Sequence, residues 1–349
     1  MGLVPERLFA SPPIFHTKAP THRSNHGLPP RAPSHDRSEP QPLRLYVGWA
    51  PRLRGASETS RIPDPTPDLS LHGKTVLVTG ATSGVGYEAA RQFLQLGARL
   101  IIGARDLAKA EALKQKFLGD KKSLGDKKSL GDKKSPGHAP GASIHVAELQ
   151  MESLDSVDGF IRRLGTLGVS RLDIALLNAG LFSREQRRVD DGWSLLMQVN
   201  YRATAYLALR LASLLVPPTG PGVVRSTAPP SPGRLVLVSS EAHAWSTYKP
   251  SHGDALAEFH YPSAAVDPSY EYYTAKLFLA LFGRELARCV DPSSLEVVTT
   301  TPGFCASNFF PDSATFLTRL ISMAHARSAE QGGACTSMLL PAALTFRRV

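Results

Sequence analysis

The sequence of 349 residues predicts a doubly wound parallel α/β sheet. Three observations predict it. Six short apolar, β-branched runs recur along the chain, helical apolar periods separate them, and the first run ends in a glycine-rich turn that opens a helix. Parallel strands are covered by helices on both faces and so read as continuous apolar runs, which these do.

The first strand is Thr75-Val76-Leu77-Val78-Thr79. A helix follows, with Val85, Ala89, Ala90, Phe93 and Leu96 at helical spacing, and Gly97 stops it. Arg99–Gly103 is the second strand, so one βαβ unit is complete in about thirty residues. A helix over 106–118 precedes a strand over 143–148, and a helix over 152–164 precedes a strand over 172–177. A long helix over about 190–215 precedes a strand over 234–239, and a helix over 270–290 precedes a strand over 295–300. The expected strand order is 3-2-1-4-5-6.

Residues 1–70 are rich in Pro, Ser, Arg and His without a sustained apolar period, and are expected to be a disordered leader. A mitochondrial presequence is the functional alternative, opposed by six acidic residues and many prolines. Residues 71–349 form the α/β domain. Two insertions interrupt it. Residues 119–136 repeat Gly-Asp-Lys-Lys-Ser three times, too polar to stack as a solenoid, and read as a flexible loop. Residues 217–233 are rich in Pro, Gly and Ser and read as a surface loop.

The formal net charge is +10, but residues 1–70 and 119–135 each carry +3 of it. The excess is spread over two solvated segments, so no nucleic-acid partner is expected. Cys289, Cys305 and Cys335 are far apart and show no metal-ligand spacing, so no metal is expected. An odd cysteine count without a secretory signal fits a reducing, cytoplasmic setting. No apolar run reaches the roughly 18 residues of a membrane span. Glu6 stands where an N-myristoylation signal requires Ser or Thr.

The turn after the first strand reads Thr79-Gly80-Ala81-Thr82-Ser83-Gly84-Val85-Gly86. Glycines there permit positive φ and close approach of backbone to phosphate, and the helix start offers free N–H groups to a pyrophosphate. Gly80, Thr82, Ser83, Gly84, Val85 and Gly86 are therefore candidate dinucleotide contacts. The second strand ends in Gly103-Ala104-Arg105-Asp106. An acid placed to hold a ribose 2′-hydroxyl would mark NAD; Arg105 instead suits a 2′-phosphate, Ala104 leaves room, and NADP(H) is expected. Asp106 reads as a helix cap.

Tyr272-Tyr273-Thr274-Ala275-Lys276 opens an apolar helix and puts Tyr272 and Lys276 on one face. An ammonium near a phenol favours the phenolate, moving tyrosine toward proton exchange at neutral pH. Ser239-Ser240 ends the fifth strand, and Asn178-Ala179-Gly180 ends the fourth, both at the carboxyl edge where open α/β sheets bind ligands. Asn200, inside a helix, needs partners and is read as holding water or a chain segment.

With these motifs in place, the chain resembles the short-chain dehydrogenase/reductase family from about Leu71 onward, most closely its retinol-dehydrogenase-like and WW-domain oxidoreductase-like branch. The matching residues are Thr79–Gly86, Asn178-Ala179-Gly180, Asn200, Val238-Ser239-Ser240 with Ala242-His243, Tyr272–Lys276 and Pro302-Gly303. The resemblance implies a Rossmann fold and a tetrad. Tyr272 would be the proton donor/acceptor, Ser240 would orient the carbonyl or alcohol, and Lys276 would lower the Tyr272 pKa and hold the ribose. Asn200 would keep a relay water, Pro302 and Gly303 would lie beside the nicotinamide, and Ser307 near its amide. Leu177 and Gln150 depart from the family pattern, which often has Asn and Asp there. The residues between Ser240 and Tyr272, including Trp245, Tyr248, His252, His260 and Tyr261, are expected to help form the substrate pocket.

The sequence after Gly333 leaves one short helix, then Pro341, so a seventh strand is expected to be missing. The activity implied is NADP(H)-dependent interconversion of an alcohol and a carbonyl. A non-catalytic nucleotide-binding scaffold or a truncated inactive form is the alternative. The helices around 190–215 and 270–290 could pair two copies into a homodimer.

Overall fold

Among the described residues the protein forms a six-stranded parallel sheet with helices on both faces, its strands in the spatial order 3-2-1-4-5-6 when numbered along the chain. This computed structural model describes residues 70–119, 143–217, 231–249, 255–260 and 266–303. The expected leader, nearly all of the hexapeptide repeat, most of the 217–233 loop, Ser307 and the question of a seventh strand lie outside them.

β1 (Thr75–Thr79) pairs in parallel with β2 (Arg99–Ala104) on one side and β4 (Ile174–Leu177) on the other. β3 (Ser143–Glu148) pairs with β2, and β5 (Gly233–Val238) lies between β4 and β6 (Leu295–Thr300). Alternation along each strand feeds two cores. Val76 and Val78 pack with Leu100, Ile102 and Leu176 against α1 (Gly84–Gln95) and α2 (Leu107–Gly119). Leu77 and Ile101 face the other way, against α3 (Leu154–Thr166), α5 (Ala203–Leu215) and Leu279 of α6 (Pro268–Cys289). Each fully buried Leu, Ile or Phe stabilises the fold by about 1.5–3 kcal/mol relative to exposure, so the two cores hold the sheet edge in register.

Local sequence sets the helix starts. Ser153 accepts from Ser156 N at 3.3 Å at the head of α3, and Asp155 stands in its positive first turn. Asp267 caps α6, accepting from Ser269 N at 3.3 Å and Tyr270 N at 3.4 Å, with Pro268 preset for the first turn. Gly103 in β2 is needed for packing: a Cβ there would lie 2.9 Å from the Leu149 side chain and 3.4 Å from the Phe160 ring.

One expected element is divided. The helix anticipated over 190–215 begins only at Ser194, whose hydroxyl caps the short α4 (Leu195–Met197). A π-helical turn, Gln198–Arg202, then leads into α5. Residues before Ser194 are drawn into isolated antiparallel bridges, Arg188 to Ser194 and Trp193 to His260, which helical periodicity could not register.

Candidate active site

Every strand end that the sequence singled out opens on one cavity of about 590 Å³ at the carboxyl edge of the sheet. Its lining runs from Arg105 at the end of β2, past the glycine turn, to Ser240, Tyr272 and Pro302-Gly303.

The turn between β1 and α1 is built by side chains beneath it. Gly80 and Gly84 have φ of +67° and +57°, which an L side chain resists. Asn178 Nδ2 donates to Thr79 O and Gly80 O, both at 3.2 Å, and Thr79 Oγ1 accepts from Asn178 N and Ala179 N at 3.0 Å. A Cβ on Gly86 would collide with Gly80 O and the Asn178 amide. Asn178 is thus a clamp on the turn. Ser83, the N-cap of α1, makes no side-chain capping bond, and the first turn of α1 holds no acid. The helix start therefore faces the cavity with N–H groups and a positive dipole end suited to an anion. These residues fit the pyrophosphate of a dinucleotide.

At the β2 end, Asp106 behaves as read: its carboxylate accepts from Lys109 N at 3.0 Å, and these bonds lower its pKa. Arg105 lines the cavity and donates to Glu152 Oε1 at 2.8 Å. Glu152 also meets Arg187 at 3.6 Å. No motif singled out Glu152, because its place beside Arg105 depends on the β2–β3 pairing. Gln150 is drawn off to Glu148 Oε1 at 2.9 Å, while its neighbours Leu149 and Met151 line the cavity.

The other end holds the expected constellation. Ser240 follows β5, its hydroxyl accepting from Ala242 N at 3.2 Å and hydrogen-bonding the Tyr272 phenol. Ser239 is structural: its hydroxyl donates to Lys276 O at 2.9 Å. Tyr272 is buried, whereas Tyr273 is packed against Trp245. Lys276 is buried too, and its Nζ donates to Val238 O at 3.1 Å. Gly180 allows close approach here, since a Cβ would stand 2.8 Å from Asn200 Oδ1 and 3.4 Å from Lys276 Nζ.

One expectation needs correction. The phenol is not lowered by the ammonium. Burial pushes Tyr272 up to about 12, a bond from Ser240 offsetting only part of this. Burial likewise brings Lys276 down to about 8. The ammonium is turned to a carbonyl and sits 5.8 Å from the phenol ring centroid, so desolvation outweighs attraction. Asn200 ties a chain segment, one of the two roles read for it. It lies in the π turn, Nδ2 donating to Leu181 O at 2.8 Å and Leu196 O at 3.0 Å, with Oδ1 accepting from Leu181 N at 3.2 Å.

Sequence reasoning also missed Glu271, buried beside Tyr272 and accepting from Ser194 Oγ at 2.7 Å. Burial pushes its pKa up. The bond ties the first turn of α6 to the cap of α4, and only the fold brings the two residues together. Among the described residues no group of three His, Cys, Asp or Glu could hold a metal ion.

Residues 74–125 match the short chain dehydrogenase family. Over 319 residues the chain is 45% identical to the short chain dehydrogenase resG of Aspergillus sclerotiorum, covering 84% of this chain and 82% of that one. The chain belongs to the short-chain dehydrogenase family. It is 32% identical over 238 residues to retinol dehydrogenase 14 of Homo sapiens, covering 68% of this chain and 62% of that one, in keeping with the retinol-dehydrogenase-like resemblance. The Pseudomonas aeruginosa RhlG/NADP active-site complex shares the fold, with a TM-score of 0.53 at 22% identity over 81% of this chain and 95% of that one. As a short-chain dehydrogenase, the protein is an oxidoreductase that works with a nicotinamide cofactor on a small molecule.

Proposed function

We propose that this short-chain dehydrogenase interconverts an alcohol and a carbonyl with NADP(H), and that Tyr272 is its acid/base. The observation that carries the reading is the buried phenol of Tyr272. It is bonded to Ser240 and stands one helical turn from Lys276, in the cavity that begins at the glycine turn.

A nicotinamide, when bound, supplies the hydride for reduction and takes it back in oxidation. The chain does the rest. Gly80, Thr82, Ser83, Gly84, Val85 and Gly86 form the turn that receives the pyrophosphate, with Asn178 holding it from below and Ala179 and Gly180 lining the wall. Ser240 orients the substrate oxygen beside the phenol. Tyr272, protonated at neutral pH because burial holds its pKa at about 12, gives its proton to that oxygen in reduction, and the phenolate so formed is the group that takes a proton back in the reverse oxidation. Lys276 supplies positive charge behind the phenol and a donor for the ribose. Asn200 positions the Leu181 segment that lines the cavity, and Pro302-Gly303 closes the nicotinamide end, with Ser307 four residues further along the sequence near the amide.

The NADP(H) preference rests on Arg105. Its side chain is largely exposed at the cavity rim, while Asp106, the nearest acid in sequence, is occupied in capping α2. A 2′-phosphate gains a charge-assisted bond there that a 2′-hydroxyl does not. The exposed Leu209 on α5 and Leu281 on α6 support pairing of two copies across these helices, which gel filtration tests.

The test is titration of the purified chain with NADPH and NADH, followed by turnover on a panel of aldehydes and ketones. Tight NADPH binding with NADPH consumption is expected. Saturating binding without consumption of any member would leave a nucleotide-binding scaffold instead.

A further inference from the structure

From the walls beyond the phenol we infer that the substrate is a flat, uncharged aryl carbonyl or its alcohol, held edge-to-face by a rack of aromatic rings. The inference rests on the oxidoreductase reading and names the substrate class of the same site.

The two ends of the cavity differ in chemistry. The β2–β3 end carries Arg105, Asp106, Lys109 and Glu152. The β5 end carries rings. Phe182 meets Tyr272 at 5.6 Å and 83°, Tyr272 meets Tyr273 at 6.2 Å and 65°, and Tyr273 meets Trp245 at 5.6 Å and 78°. All four residues line the cavity. The chain of rings therefore starts at the proposed proton donor and runs outward without a break.

Trp245 is 63% exposed, more than any other large apolar side chain among the described residues. It sits at the end of the five-residue 3-10 helix Glu241–Trp245, which Ser240 caps, so a short rigid element links it to the substrate oxygen's partner. A large ring held in water at the mouth of a cavity is unfavourable unless something covers it. The rings meet near-perpendicularly, so each also offers a face or an edge to a flat guest. Such pairs add to the gain from burial alone, and each can contribute about threefold to tenfold in affinity. A saturated ring of equal size collects only the burial part.

Charge sets the second limit. Glu241, also lining this end, repels an anionic substrate, and among the described lining residues the one cation at this end, Lys276, is buried and bonded to Val238 O. An uncharged aryl aldehyde or ketone meets both limits. In its reduction the carbonyl carbon gains the hydride from NADPH and the oxygen gains the Tyr272 proton.

The experiment measures kcat/KM with NADPH for matched pairs: benzaldehyde against cyclohexanecarbaldehyde, and 2-naphthaldehyde against its fully saturated counterpart. The aryl-to-alkyl ratio is then compared between the native chain, Trp245→Phe and Trp245→Leu, which cancels intrinsic reactivity. We expect the ratio to fall about tenfold in Trp245→Leu, mostly through KM, and to stay within about threefold in Trp245→Phe. A ratio unmoved by Trp245→Leu would overturn the inference. If neither member of any pair turns over, calorimetric binding of 2-naphthamide and its saturated analogue decides. Tighter binding of naphthamide that Trp245→Leu abolishes keeps the aryl site and removes the carbonyl-reduction reading. Equal binding of the two removes the aryl site.

Discussion

The two ends of the cavity are built by different means. At the glycine turn the wall is backbone, shaped by residues too small to intrude and held from beneath by Asn178 and Thr79. At the Tyr272 end the wall is side chain: a phenol, a hydroxyl and an ammonium set by burial, with aromatic rings extending outward. The comparison teaches that the first end tolerates almost no added atoms, while the second tolerates changes of shape but not changes of proton or charge.

Gly86→Ala attacks the first end and has the largest expected effect. The new Cβ meets backbone and the Asn178 amide, with no flexible group to give way. We expect loss of NADPH binding and destabilisation by about 1–3 kcal/mol in urea unfolding. Native-like binding would mean that the turn is looser than its contacts imply. Lys276→Met attacks the second end. With the cavity intact, kcat for reduction should fall about 10²-fold or more while the NADPH Kd changes much less. An equal loss in both would assign Lys276 to binding alone.

Arg105→Ala should weaken NADPH by about tenfold to a hundredfold, the worth of a charge-assisted bond, and leave NADH nearly unchanged. Equal weakening of the two cofactors would sink the 2′-phosphate assignment. Glu152→Gln, by releasing Arg105 from its 2.8 Å partner, should tighten NADPH by a few-fold.

The pH profile separates the groups of the second end. Burial holds Tyr272 near about 12, so the phenol stays protonated throughout the usual range. Lys276, brought down to about 8, is charged below that pH and loses its charge as pH rises through it. The kcat/KM for reduction should therefore be level below about 8 and decline above it, with the decline absent from Lys276→Met.

The change furthest from the chemistry is Ser194→Ala, which strips the buried Glu271 carboxylate of its 2.7 Å bond and should cost about 1–3 kcal/mol of stability. Burial raises the Glu271 pKa, so the folded state holds its proton more tightly than the unfolded chain. That contribution to stability is present below the unfolded pKa and is lost as pH rises through the folded one. The deficit of Ser194→Ala should accordingly narrow as pH falls through the raised folded pKa, already above the usual carboxylate range.

The backbone-built end was legible in the sequence because its requirements are local. β1 at Thr75–Thr79 and β6 at Leu295–Thr300 lie where apolar runs put them, and the glycines of 80–86 announce a turn that only glycines can make. The side-chain end was legible only where one helical turn carries the signal, as with Tyr272 and Lys276. The rest depends on contacts between distant segments. Periodicity cannot see the bridges that delay α4 to Ser194, nor the π turn that aims Asn200 at Leu181. Glu152 and Glu271 find Arg105 and Ser194 only through the fold. A Tyr-x-x-x-Lys spacing points to a lowered phenol pKa because it carries no sign of burial, which here outweighs the ammonium.

The central claim is that Tyr272 carries the proton in a cavity that other residues build. Single-turnover reduction of an aldehyde by the NADPH complex of Tyr272→Phe tests it most directly. We predict an NADPH Kd within about threefold of the native chain and a reduction rate lower by about 10²- to 10⁴-fold. A rate close to native would contradict it.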